Sequence, residues 1–154
     1  MADLVVEYLL TTPGPDITFN DGTLGDGVDK YWLDGIRGLD GPSIRAPVDP
    51  VPFGDGGIVH TFWKGPRRVI FEGMLLLDPP TLENCQLRRN TLAFNLQSAL
   101  ASIIAASGTL TWTPTGGSGE SLTVYNEVPL EITYTDNFLV SRFTFGLISE
   151  SADY

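Results

Sequence analysis

The chain has little of what catalytic and metal sites are built from. Among its 154 residues there is one cysteine, Cys85, and one histidine, His60. A lone cysteine excludes an intrachain disulfide, so nothing signals an oxidising compartment. One Cys and one His cannot form a structural zinc site. A Ser-His-Asp triad would have to use His60, which sits in a strand-like stretch and reads as a packing or surface residue. Ser43, in Gly41-Pro42-Ser43-Ile44-Arg45, and Ser118 both lack the glycine spacing of a nucleophile elbow. No Walker loop is present, and Gly116-Gly117-Ser118-Gly119 precedes a strand, not a helix, which excludes a dinucleotide fingerprint. The 19 acids could be paired almost at will, so no carboxylate pair stands out for glycoside hydrolysis. Cys85 falls on the apolar stripe of a helix, where a buried thiol packs and does not react. The residues therefore point to no catalytic site, no metal and no cofactor, and the chain is not expected to be an enzyme.

Basic residues are scarce as well. Nine Lys and Arg face 19 Asp and Glu, for a net charge of -10 and a pI of about 4.3. Such a surface repels phosphate backbones and anionic membranes, so neither specific nucleic-acid binding nor membrane binding is expected. No run approaches the roughly 20 apolar residues of a bilayer span. Met1-Ala2-Asp3-Leu4 lacks the basic and apolar regions of a signal peptide, and synthesis and folding in cytoplasm are expected.

What is there describes one globular domain over residues 1–154. Hydrophobic residues make up 42%, enough for a core at this length. Residues 4–10 read as a strand, and 13–29 as a loop or short hairpin. Residues 30–39 return to strand character until Asp40-Gly41-Pro42 breaks it. Residues 41–57 hold Pro42, Pro47, Pro50 and Pro52 with Gly41, Gly54, Gly56 and Gly57. That composition predicts an extended loop, since proline cannot donate to a ladder. Residues 58–63 and 67–77 read as a hairpin turning at Lys64-Gly65-Pro66, so the loop and hairpin together span about 41–66. Asp78 or Thr81 is placed to cap a helix over 81–106, with Cys85, Leu92, Leu96, Leu100 and Ile103 on its apolar side and Arg88, Arg89, Asn90 and Gln97 on the other. Gly108 reads as its stop. Strands follow at 109–113, 120–127 and 129–135. Asp136-Asn137 suits a tight turn, and a last strand carries Leu139, Phe143, Phe145 and Leu147 on one face. The sum is mainly β with one long helix (α+β): a β-sandwich or half-barrel flanked by the helix.

Two features stand out for binding. Asp16, Asp21, Asp26 and Asp29 crowd the 16–29 loop, and oxygen-rich loops can hold calcium. Their spacing is not that of an EF-hand, and five Asp-Gly pairs between Asp21 and Gly56 favour ordinary turns. The second feature is apolar residues in a proline-rich loop. Val48, Val51 and Phe53, with Phe62 and Trp63 beside Lys64, are candidates for a subunit interface or for a loop folded over its own core. Arg67-Arg68 and Arg88-Arg89 could pair with acids on a neighbouring subunit or within the chain. Trp32, Trp63 and Trp112 would be the stacking platforms of a carbohydrate-binding β-sandwich module, the alternative of another class.

The run from Tyr31 to Arg45, Tyr-Trp-Leu-Asp-Gly-Ile-Arg-Gly-Leu-Asp-Gly-Pro-Ser-Ile-Arg, resembles the early segment of siphophage distal tail proteins. Asp55-Gly56-Gly57, the strand Arg68-Val69-Ile70-Phe71-Glu72-Gly73, the helix with Arg88 and Arg89, and the all-β end continue the likeness in order. The resemblance implies a tail-tube-type fold assembled as a homo-oligomeric ring, a hexamer, around an open lumen at the tail tip of a virion. Such a ring joins the tail tube protein to hub or fibre proteins, and a hairpin of each subunit braces its neighbour, here residues 41–63. The short form, without the carbohydrate-binding-like second domain of some members, is expected. Another tube subunit or minor tail-tip protein is the nearest alternative. Six copies would carry 6 × (-10) = -60, and acids on the lumen wall would let DNA pass without sticking.

Overall fold

A computed structural model describes residues 6–22, 24–39, 66–78, 84–114, 117–134 and 139–149, together with the backbone of 44–45, 48–50, 57–59 and 63–64. In chain order the elements are β1 (Tyr8–Thr11), β2 (Ile17–Phe19), β3 (Lys30–Arg37), β4 (Ile44–Arg45), β5 (Val48–Pro50), β6 (Gly57–Val59), β7 (Trp63–Lys64), β8 (Arg67–Leu76), α1 (Cys85–Ser102), β9 (Gly108–Trp112), β10 (Glu120–Thr133) and β11 (Val140–Ser149). Mainly β structure with one helix is observed.

Alternation builds the core. Along β8 every second residue is buried, so Val69, Phe71 and Leu75 point in while Arg68, Glu72 and Met74 point out. Phe143, Phe145 and Leu147 do the same on β11. The interior is largely aromatic: Phe71 stacks on Phe19 at 5.4 Å and on Phe145 at 5.0 Å, and Tyr8 packs on Trp112 at 6.2 Å.

The strands close into a barrel in the order β1-β2-β3-β8-β11-β10-β9. The expected sandwich is therefore a barrel: short β1, β2 and β9 bridge one end of β10 to one end of β3, so the two layers are continuous. Closure between β2 and β3 is slight, a single parallel pair of Phe19 with Tyr31. Asn20 reinforces it. Held at φ 59, it accepts from the Leu33 amide and donates to the Val6 carbonyl.

The reading of 58–63 with 67–77 as a hairpin is corrected. β8 pairs with β3 and β11. β7 pairs instead with β4, and β6 with β5, in nested antiparallel register from Ile44↔Lys64 to Pro50↔Gly57. The proline-rich segment is thus one side of a two-stranded hairpin inserted between β3 and β8. Gly38 begins it at φ +87, and a Cβ there would lie 1.8 Å from the Arg68 carbonyl oxygen. Only glycine lets the chain leave the sheet at this point.

Helix α1 packs over the barrel with Leu92, Ala93, Leu96, Ala99 and Leu100 buried. It starts at Cys85 after a left-handed Asn84 that makes no side-chain cap. Asp78 is no cap either, since it accepts from the Gly25 amide; Thr81 lies outside the described residues. Gly108 opens β9 and is not the helix stop. Arg89, expected on the outer side, is buried at the edge of the inner face, its guanidinium 4.7 Å from the centre of the Tyr134 ring.

Candidate assembly interface

The barrel closes only through part of its longest strands. β10 pairs with β9 over Glu120–Val124 and with β11 from Tyr125 to Thr133. Past Val124 its other side has no strand neighbour among the described residues. β3 likewise pairs with β8 along its whole length but meets β2 only at Tyr31. Two strand edges therefore lack a strand partner among the described residues, Asp34–Arg37 on β3 and roughly 127–133 on β10, at opposite margins of the four-stranded sheet β3-β8-β11-β10.

These edges match. Gly35, Glu72, Thr144 and Glu131 lie on one row across the sheet, so both open segments sit at the same height. Three successive antiparallel pairings make β3 and β10 run in opposite directions. Two single-residue register shifts flank Val128, Pro129 lying in the second, and they spoil the first part of the β10 edge and leave Glu131–Thr133 regular.

The outward face of the sheet carries Ile70, Met74 and Val128 among its polar residues and is laced with ion pairs. Arg37 meets Glu72 at 2.7 Å, Arg68 meets Glu127 at 3.2 Å, and Arg142 meets Asp34 at 2.5 Å. A shallow groove of about 320 Å³ runs over it, lined in part by Glu72, Glu131, Arg142 and Thr144. Three arginines (Arg37, Arg68, Arg142) stand against four acids (Asp34, Glu72, Glu127, Glu131), a balance of 3 − 4 = −1. The acidity of the chain lies elsewhere.

Much of it lies in the 16–29 loop, where each aspartate has an internal hydrogen bond. Asp16 accepts from the Thr12 amide. Asp26 holds the Lys30 ammonium at 2.8 Å, and the same buried ammonium donates to the main-chain carbonyl of Asp21, not to its carboxylate. The Asp29 carboxylate takes both Nε and Nη2 of Arg88, at 3.0 and 2.5 Å, and the Asp78 amide. That paired hydrogen bond holds the Arg88 guanidinium above its usual range. No group of three or more metal-ligating side chains occurs among the described residues.

Of the candidate interface residues, Val48 lies in β5 opposite Val59, and Trp63 in β7 opposite Arg45, both on the inserted hairpin. Val51, Phe53 and Phe62 lie outside the described residues, as do His60 and Ser43. Cys85 is half-buried against the core, and Ser118 is exposed on a loop. Trp112 is 5% exposed inside the barrel, so it is no stacking platform. The open edges were missed in the sequence, although Pro129 inside an alternating strand is the signal of an edge.

No protein-family model matches the chain, and no curated protein matches it. Among solved structures it is similar to the crystal structure of the SPP1 Dit protein, described as a paradigm of the hub adsorption apparatus in phages that infect Gram-positive bacteria. Identity is 15% and the TM-score 0.57, over 94% of this chain and 50% of that one. The likeness is one of fold, and the chain spans about half the length of that structure.

Proposed function

We propose that this chain is a structural protein of a phage tail tip that closes into a ring by edge-to-edge strand addition. The observation that carries the reading is the pair of open edges. They are different, antiparallel and level with each other, so the β3 edge of one copy fits the β10 edge of the next. A contact between unlike edges is heterologous, and repetition with rotation closes it into a ring. Closure also removes the hazard of exposed strand edges.

The resemblance to distal tail proteins supplies six as the number of copies. Six four-stranded sheets make a wall of 24 strands. At about 4.8 Å per strand that wall is about 115 Å around and about 37 Å across at the backbone, which leaves an open centre for DNA. The near-balanced sheet face would line it, so the lumen is close to neutral and not strongly acidic. The inserted hairpin forms sheets separate from the barrel. Two strands alone are marginal in water, and a neighbouring subunit supplies the cover they need. The ring joins the tail tube above to hub or fibre proteins below.

Light scattering after size exclusion, with negative-stain images, tests this. A particle near six subunits with a central hole is expected. In a Cys85→Ser background, Gly35→Cys and Glu131→Cys chains, whose positions share one row, should form disulfides when mixed and stay unlinked when alone. A monomer at every concentration together with no mixed cross-link would overturn the ring.

A further inference from the structure

The charges on the outward face of the sheet are matched but for one. Arg37 holds Glu72, Arg68 holds Glu127 and Arg142 holds Asp34. Glu131, exposed on the β10 edge, has neither an ion pair nor a side-chain hydrogen bond among the described residues. Arg142 lines the same groove, but it reaches the other way, across β8 to Asp34 on β3.

Glu131 stands where a cation of the next copy would arrive. Within one chain Arg37 and Glu72 meet as diagonal neighbours: Glu72 lies opposite Gly35, and Arg37 lies opposite Ile70, one row on. Glu131 shares its row with Glu72. When the β10 edge of one copy comes level with the β3 edge of the next, Glu131 therefore lies opposite the next copy's Gly35 and diagonal to its Arg37. Glu72 holds the same relation to Arg37 from the other side of β3. Gly35 leaves room for the approach, since nothing lies within 4 Å of where its Cβ would be. The Arg37 side chain is 70% exposed and spends one nitrogen on Glu72, so its guanidinium keeps donors for a second carboxylate.

We propose that Glu131 of one copy pairs with Arg37 of the next, so that each Arg37 is held between its own Glu72 and its neighbour's Glu131. The proposal rests on the ring reading and adds to it the side-chain pair that guards the register of strand addition. An exposed ion pair adds little affinity, and its effect is to penalise wrong alignments. A slip of one residue would set Glu131 beside Ile36, which packs against the core, or beside Asp34, a like charge. Two β10 edges brought together would set carboxylate against carboxylate.

Mixing two variants tests the pair between chains. Glu131→Arg puts like charges at every boundary of a ring, and so does Arg37→Glu. Each variant alone should need about tenfold more protein to assemble in light scattering, with an unchanged circular dichroism spectrum because both side chains are exposed. In an equimolar mixture the copies can alternate, and every boundary then joins opposite charges, reversed at one and native at the next. The mixture should assemble at the wild-type concentration. Assembly of either variant as readily as wild type would sink the proposal. So would two weakened variants that fail to rescue each other, since a pair confined to one chain is not restored by a second chain. If wild-type rings and the Gly35→Cys with Glu131→Cys cross-link survive that failure, the ring reading stands without this pair. If the wild-type chain neither assembles nor cross-links, both fall.

Discussion

Tyr31 carries its phenol from β3 into the interior, where the hydroxyl donates to the Leu92 carbonyl of α1 at 2.6 Å. One side chain thus ties sheet to helix, and burial raises its pKa well above the usual phenol range. Burial raises Tyr8 in the same direction. The unfolded chain ionises its tyrosines near pH 10, while the folded one holds these protons beyond that. The unfolded state therefore loses protons first as pH rises. The stability carried by the two phenols is whole below about pH 10 and is lost through the window above it. Denaturant titrations from about pH 7 to pH 11 should show an alkaline decline. Tyr31→Phe should flatten that decline and cost about 0.5–1.5 kcal/mol at neutral pH for the lost hydrogen bond.

At the scale of elements, α1 shows how little a helix start can owe to local sequence. No acid stands in its first turn and no side chain caps it. Its first turn is fixed by Arg88 on Asp29, a residue 59 positions earlier that also accepts from the Asp78 amide. One carboxylate thus joins the β2–β3 loop, the end of β8 and the helix. Asp29→Asn removes the charge and one of the acceptor oxygens. Hydrogen exchange should then quicken at the start of α1 and in residues 24–29, while the amides between β8 and β11 keep their protection. Equal loss everywhere would instead make Asp29 a determinant of global stability.

For the whole molecule, charge sets a condition on assembly. Six copies carry 6 × (-10) = -60, and the described sheet face accounts for little of it. Copies that meet along strand edges bring their acidic loops closer together. Their repulsion is screened over about 10 Å at about 0.1 M salt. At fixed protein concentration the assembled fraction should therefore rise with ionic strength in light scattering. A fraction that falls with salt would show that attractive ion pairs, not strand edges, hold the copies together.

The sequence by itself determined most of the barrel strands, the single helix and the inward residues of β8 and β11, but read β4 and β5 as loop and β10 as two strands. Period-2 alternation in β8 and β11 and a 3.6-residue period in α1 are local consequences of burying one side of each element. It also determined the poverty of catalytic residue types, which composition alone reveals. Pairing was decided only by tertiary structure, because the same alternation fits any partner. Hence β6 and β7 joined the proline-rich segment and not β8, and the two layers closed into a barrel. Arg89 turned inward because Tyr134, distant in sequence, offered it a ring. The edges of β3 and β10 were likewise undecided beforehand, apart from the hint of Pro129. An edge is defined by the neighbour a strand lacks, and that is known only once every other strand has found its place.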